Sequence, residues 1–332
     1  MHLLIPYAAC SAPESRALLA TLPLPHVKQL LARLQAAPCP PGAAAGSASS
    51  LSAPHEVALA QRLGLPAADG QIAWAAHHAR AQVEPARAAA PADSQAWAFI
   101  TPCHWQVGTD QITLADPAAL ALSADDLLAL HAALQPYFAE DGIELLAEPV
   151  TLASGAAWLA RSAVFGGLAT ASLDRVIGRS INAWMTEGVQ AAPLRRLQNE
   201  MQMLLYTHPL NDARSQRNLP PVNSFWVHGT GALDPLAAVA TAAPEVVVAS
   251  ALRTPALQGD WSAWGQAWQE IDRSHGAALL AALRQSADSA ASANSLTLCG
   301  ELSSQGFEPA QNRLKAYFSS LFYRLPIQNL PV

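Results

Sequence analysis

Residues 195–231 read RRLQNEMQMLLYTHPLNDARSQRNLPPVNSFWVHGTG and carry the densest structural punctuation of the chain. Met201, Leu204 and Leu205 mark one face of a helix, with Asn199 and Glu200 on the other. His208-Pro209 breaks that helix, because the residue before a proline is pushed out of the α region. Asn211, Asp212, Arg214 and Arg217 follow at helical spacing. Pro220-Pro221 then leads into the alternating stretch 222–227, which reads as a buried strand carrying Asn223 near its start. His228-Gly229-Thr230-Gly231 closes it as a Gly-rich turn.

Outward from this segment the pattern is one of strands alternating with helices. Residues 3–7 (LLIPY), 97–101 (WAFIT), 111–114, 152–159, 245–250 and 296–300 read as strands. Helical periodicity falls at 25–34, 57–63, 72–81, 173–185, 194–206 and 314–325. Ser123-Ala124-Asp125-Asp126 has the form of a capping box, with Asp in place of the usual Glu or Gln, and starts a helix through Leu134. Trp261, Trp264 and Trp268 lie at i, i+3 and i+7 on a helix that continues to Leu283. The alternation predicts an α/β fold with a mostly parallel sheet flanked by helices. The uncharged Pro/Gly/Ala/Ser stretch 36–54 and the stretch 84–95 read as loops or linkers.

Composition narrows the function classes. Apolar residues make up 51% of the 332-residue chain and charged residues 13%, about half the usual charged share. Such a chain buries a core and is not mainly disordered. With 19 basic against 25 acidic residues, net charge −6 and no basic run, it has no footprint for nucleic acid. The amino-terminal MHLLIP lacks a basic n-region and is interrupted by Pro6, so it is not read as a signal peptide. No stretch has the length and apolarity of a membrane span. Cys10, Cys39, Cys103 and Cys299 are widely separated, with no CxxC pair. The expectation is a reduced, cytoplasmic protein with neither nucleic-acid nor membrane partners.

The candidate ligand-binding residues are Asn199, Glu200, His208, Asn211, Arg214, Asn223, His228, Gly229 and Gly231. Polar side chains beside a buried strand must find partners, glycines let backbone approach closely, and ligands of open α/β sheets sit beyond the carboxyl ends of strands. The alternative is structural: His208 and Asn211 cap helices, Arg214 pairs with Glu200, and the glycines turn the chain. Other candidates are sparser. Asp272 and His275, three apart, could share a helix face as metal ligands or lie on a solvated one. His77-His78 point to different sides of a helix. Cys103-His104 could form a nucleophile pair, with a buried thiol as the alternative. Ser11 near the first strand has no base or ligand beside it. The tryptophan stripe reads as core or as an interface. No GxGxxG, Walker loop or GxSxG occurs.

The run 197–231, with its NE, HPLN, Arg214, LPPVNSFWVHGTG pattern, resembles RpfE-type regulatory proteins of bacteria. More remotely it is similar to archaeal-type cofactor-independent phosphoglycerate mutases. The stretch from Ile100-Thr101-Pro102-Cys103-His104 to Gly142 adds to the RpfE-like likeness, which spans about residues 97–300; residues 1–95 match nothing comparable. The resemblance implies an alkaline-phosphatase-like core, in degenerate form, with an inserted α+β subdomain. The implied organisation is a first strand and helix at 1–35, a linker or loop at 36–54, a helical segment at 55–95, the insert at 96–190 and the remainder of the core at 191–332.

In the mutases the resemblance also implies a nucleophilic serine and two divalent ions held by Asp and His. This sequence departs from that pattern. No carboxylate follows the first strand before Glu14, and residues 285–332 contain no histidine. The resulting expectation is a non-catalytic regulatory or interaction protein without a cofactor, whose partner is a protein or a small phosphorylated metabolite. The alternatives are a metal-dependent, mutase-like phosphotransferase with a rearranged site and a sensor of a phosphorylated metabolite.

Overall fold

The computed structural model describes residues 1–38, 47–82, 96–186, 188–233, 245–285 and 294–309 of the chain. The expected helix at 314–325, Cys39, residues 39–46 of the first expected linker and all of the second lie outside these residues.

The chain opens with β1 (His2–Ile5), α1 (Pro13–Thr21), α2 (Pro25–Arg33), β2 (Leu34–Ala36) and α3 (Pro54–Arg62). There follow α4 (Trp74–Gln82), β3 (Ala96–Cys103), the short β4 (Trp105–Val107) and β5 (Ile112–Leu114), and α5 (Ala124–Glu140). Next come β6 (Glu144–Leu152), β7 (Gly155–Ser162), α6 (Leu173–Val176), α7 (Ala192–Tyr206), α8 (Pro209–Gln216) and β8 (Ser224–Gly231). The last described elements are β9 (Val246–Val248), α9 (Arg253–Gln258), α10 (Trp261–Ile271), a π turn (Asp272–Gly276), α11 (Ala277–Gln285), β10 (Ser295–Cys299) and β11 (Ser304–Pro309). Two compact units result: one from Met1–Ser49, Ala53–Leu65 and Ala242–Val332, the other from Ser50–Ser52 and Pro66–Thr241.

In the first unit five strands run in the order β2-β11-β10-β1-β9. β1 pairs in parallel with both β9 and β10, whereas β10–β11 and β11–β2 are antiparallel. Leu3, Ile5, Leu296 and Leu298 face a core shared with Val27, Leu30, Trp264 and Trp268. Leu4 and Cys299 point the other way, against Ala58 of α3. A strand buried on both faces reads as the continuous apolar run seen at 3–5. The tryptophan stripe belongs to this core: Trp264 and Trp268 are fully buried and pack edge to face, and the indole N–H of Trp264 donates to the Tyr7 carbonyl at 3.0 Å.

In the second unit β6-β7-β3-β8 form an entirely antiparallel sheet. Its Ala98, Ile100, Trp158, Phe225 and Val227 face packs with Leu134 and Phe138 of α5 and Leu197 and Met201 of α7. The opposite face, with Phe99, Ala157 and Leu159, packs on Ala75 and Ala79 of α4.

The fold is thus mixed α/β, and the expectation of a mostly parallel sheet is corrected. The reason is connection length. β6 and β7 are joined by only Ala153-Ser154, and β10 and β11 by residues 300–303; such links return the chain antiparallel, whereas a parallel pair needs a long crossover. The 152–159 strand expected from sequence is this hairpin read as one piece. The helix expected over 173–185 stops after Val176, where Gly178 takes φ +74°. Among the described residues, no helix is long and apolar enough to cross a membrane.

Candidate functional site

The 195–231 segment builds one edge of the second unit, and its polar side chains are bonded mainly to backbone. Arg214, on α8, is completely buried. Its Nε donates to the Pro220 carbonyl at 2.9 Å, Nη1 to Asp126 Oδ2 at 2.9 Å, and Nη2 to the Leu120 carbonyl. Asp126 is the capping-box residue of α5: its carboxylate accepts from the Ser123 N–H, and the Ser123 hydroxyl accepts from the Asp126 N–H. Arg217, half exposed, donates to the second Asp126 oxygen at 3.2 Å. Burial works to raise the Asp126 carboxyl, but Ser123, Arg217 and Arg214 outweigh it and hold the group below the usual carboxylate range. Burial pushes the Arg214 guanidinium down, against the pull of Asp126. The expected pairing of Arg214 with Glu200 is replaced by this node; Glu200 instead meets Arg196, one turn earlier on α7, at 3.6 Å.

Asn211 joins three backbone groups. Its Nδ2 donates to the carbonyls of Leu205 (2.7 Å) and Val222 (2.8 Å), and its Oδ1 accepts from the Val222 N–H (2.9 Å). It thereby ties the end of α7 to the entry of β8. His208 caps α8, its Nδ1 accepting from the Leu210 N–H at 3.2 Å. Asn223 pairs with the Trp105 backbone as a strand would: Oδ1 accepts the N–H at 2.7 Å and Nδ2 donates to the carbonyl at 2.9 Å. Gln198, on α7, donates to the Phe225 carbonyl at 3.1 Å.

His228 lies on the sheet face that looks toward α4. Its Nε2 is 2.9 Å from the Thr101 hydroxyl, and its ring packs against Phe99 with centroids 5.3 Å apart. Gly229 (φ +64°) and Gly231 (φ +138°) permit the close approach of α4's entry. A Cβ on Gly229 would come within 3.1 Å of Trp74 Cβ, and one on Gly231 within 3.0 Å of Ala73 Cβ. Asn199 is exposed on the outer side of α7, the side that also carries exposed Met203 and Tyr206.

The nine candidates therefore fall into separate groups. Asn211 and Arg214 share the α8 node with His208 at its cap, Asn223 serves the Trp105 backbone, His228 and the two glycines lie under α4, and Asn199 and Glu200 face outward. A shallow hollow beside this segment has room for about one water. It is lined by residues that include Thr186, Leu194, Arg195, Gln198, Trp226 and Val227, and by none of the nine. Asp126 and Thr101, which bond to the segment from outside, and Gln198 within it carried no signal in the sequence for these contacts; Asp126 stands 88 residues from Arg214.

The remaining candidates have found other surroundings. Cys103 is fully buried and desolvation pushes its thiol up, so it holds its proton at neutral pH. Burial lowers the neighbouring His104, against a hydrogen bond to the Pro221 carbonyl. His78 stacks edge-on against Phe99. Asp272 and His275 are not a ligand pair: Asp272 is buried and turned to α2, where it meets His26, while His275 Nδ1 lies 3.1 Å from the Ser274 hydroxyl. The π turn explains the difference. Its i→i+5 register turns less per residue than an α-helix and puts Gly276, rather than His275, against His26. Among the described residues, no three His, Cys, Asp or Glu side chains are grouped to hold a metal ion.

No protein-family model matches the chain, and no curated protein does. Among solved structures the chain is similar to a cofactor-independent phosphoglycerate mutase from Thermoplasma acidophilum DSM 1728, at 12% identity and a TM-score of 0.35, over 100% of this chain and 95% of that one.

Proposed function

We propose that this chain is a non-catalytic regulatory or interaction protein of the RpfE-like kind, with a degenerate alkaline-phosphatase-like scaffold. One observation carries the reading. The side chains of the 195–231 segment that would have to receive a substrate are bonded within the protein: Arg214 to Pro220, Leu120 and Asp126, Asn211 to Leu205 and Val222, Asn223 to Trp105. Arg214 is completely buried, so its guanidinium would have to leave these two carbonyls and the carboxylate to reach a phosphate, and buried acceptors would be left unpaired. The segment works as a clamp that fixes α5, α7, α8 and β8 as one body. Its recognition partner is a protein or a small phosphorylated metabolite, met elsewhere on the surface.

The test is an assay of the purified chain, supplemented with Mn, Mg or Zn, on phosphoglycerates and on p-nitrophenyl phosphate, with a thermal-shift screen of phosphorylated metabolites alongside. The expected result is no turnover above the buffer blank. A melting shift with one metabolite and no turnover selects sensing, and a flat screen selects a protein partner. Turnover that disappears in His208→Ala, with its melting transition retained, overturns the proposal.

A further inference from the structure

Asp272 and His26 meet at the start of α2. Asp272, the first residue of the π turn, is 1% exposed. Its Oδ1 accepts from the Val27 N–H at 2.7 Å, and its Oδ2 accepts from the His26 N–H at 3.3 Å and lies 2.9 Å from His26 Nδ1. An ionised carboxylate only accepts, so the hydrogen-bond network puts the proton of the last contact on Nδ1; the neutral ring then keeps its lone pair on Nε2. Among the described residues, Nε2 meets no hydrogen-bond partner and is not one of the buried unpartnered atoms. With 34% of the side chain exposed, it opens to solvent.

This arrangement has three features of a reactive imidazole. A buried carboxylate behind Nδ1 sets the tautomer and balances the positive charge that develops when Nε2 bonds an electrophile. The backbone on both sides is held, because the same carboxylate caps α2 and Gly276 packs on His26, where a Cβ would lie 3.4 Å from the His26 Cβ. The carboxylate is delivered by a π turn, a rare local geometry frequent at functional sites. The positive end of α2 favours an anionic electrophile over a neutral one.

We propose that His26 is a phosphoryl-acceptor site, modified at Nε2 by a donor of the phosphoramidate class. The Nε2 lone pair forms the bond to phosphorus while the P–N bond of the donor breaks, and ammonia leaves with that electron pair. The ring becomes an imidazolium with Nδ1–H retained against Asp272, so no base is needed and nothing is oxidised or reduced. The site lies in the first unit and goes beyond the regulatory reading; its failure leaves that reading untouched.

The experiment is incubation of the full chain with potassium phosphoramidate near neutral pH, followed by intact-mass and fragment-mass analysis. The expected product carries one acid-labile phosphoryl group on His26, formed at least about tenfold faster than any on His275 or His55. His26→Gln abolishes it, His275→Gln leaves its rate unchanged, and Asp272→Asn slows it about tenfold or more. No incorporation, equal rates at His26 and His275, or an unchanged rate in a folded Asp272→Asn variant overturns the proposal. Should Asp272→Asn fail to fold, the comparison of His26 with His275 in the unaltered chain decides.

Discussion

Among the described residues each unit holds one buried carboxylate at a structural crossing, and the two are satisfied in different ways. In the second unit Asp126 is closed in by Ser123, Arg214 and Arg217, so its charge is met by two guanidiniums and its acceptor sites are filled from within. In the first unit Asp272 is met by two backbone N–H groups and one imidazole, and that imidazole has its far nitrogen open to solvent. Both carboxylates fix a helix in place. Only the second arrangement leaves a group able to react. A buried charge is therefore a framework device or the back of a site according to what its partner does with its other face.

The most direct challenge to this contrast is to remove one guanidinium. Arg214→Ala leaves the Asp126 carboxylate in the interior with the Ser123 N–H and, as its remaining cation, the half-exposed Arg217, and is expected to cost about 3–5 kcal/mol, read as a lower urea midpoint. A cost below about 1 kcal/mol would show that the node is dispensable to the second unit.

Acid separates the two units by pH. In the first unit His2 is buried with Nδ1 against the Ser295 hydroxyl and Nε2 unpartnered. Burial first, then the Arg62 and amino-terminal charges, lower it from 6.5 to about 4. The unfolded chain thus binds this proton more tightly than the folded one. The stability His2 contributes is complete above pH 6.5 and is lost as pH falls from there to about 4, by about 3 kcal/mol in all. Asp126 responds only to stronger acid: held below its usual 3.8, its contribution persists until pH drops under that value. Hydrogen exchange followed by peptide mass should show β1 and β10 losing protection at higher pH than α5 and α8, and His2→Asn should remove the lag. Simultaneous loss in the unaltered chain would contradict the assignment.

Smaller effects define the extent of the clamp. Asn211→Ala removes three hydrogen bonds and leaves Val222 unpaired on both sides, for about 2 kcal/mol in the urea midpoint. Glu200→Ala, which removes only the exposed contact with Arg196, should change stability by less than about 0.5 kcal/mol. An equal cost for the two would mean that the outer side of α7 holds the unit together no less than its inner side does.

Much of the local structure was legible. The Ser123–Asp126 capping box forms, His208-Pro209 separates two helices, and β8 begins in the alternating stretch after Pro220-Pro221, although it runs on through His228–Gly231, which reads as a turn in the sequence. These are short-range effects of one residue on its neighbours' backbone. The same signals misled where two readings share one pattern. A short apolar run looks the same whether its partner is parallel or antiparallel, so the sheet directions were missed. A D-x-x-H spacing assumes α-helical turns, and the π turn sent His275 away from Asp272.

Residue order alone located several of the helices and strands of the described chain, among them the helices at 25–33, 124–140 and 192–206 and the strands at 2–5 and 295–299, and placed the polar density in 195–231. Tertiary packing alone decided that Arg214 answers to Asp126, that Asn223 stands in for a strand neighbour of Trp105, and that Asp272 faces His26. The difference is one of range. Caps, breaks and periodicity act within about one turn of the chain. A buried charge or amide takes its partner from whatever element packing brings beside it, here 88 residues away in one case and 246 in another.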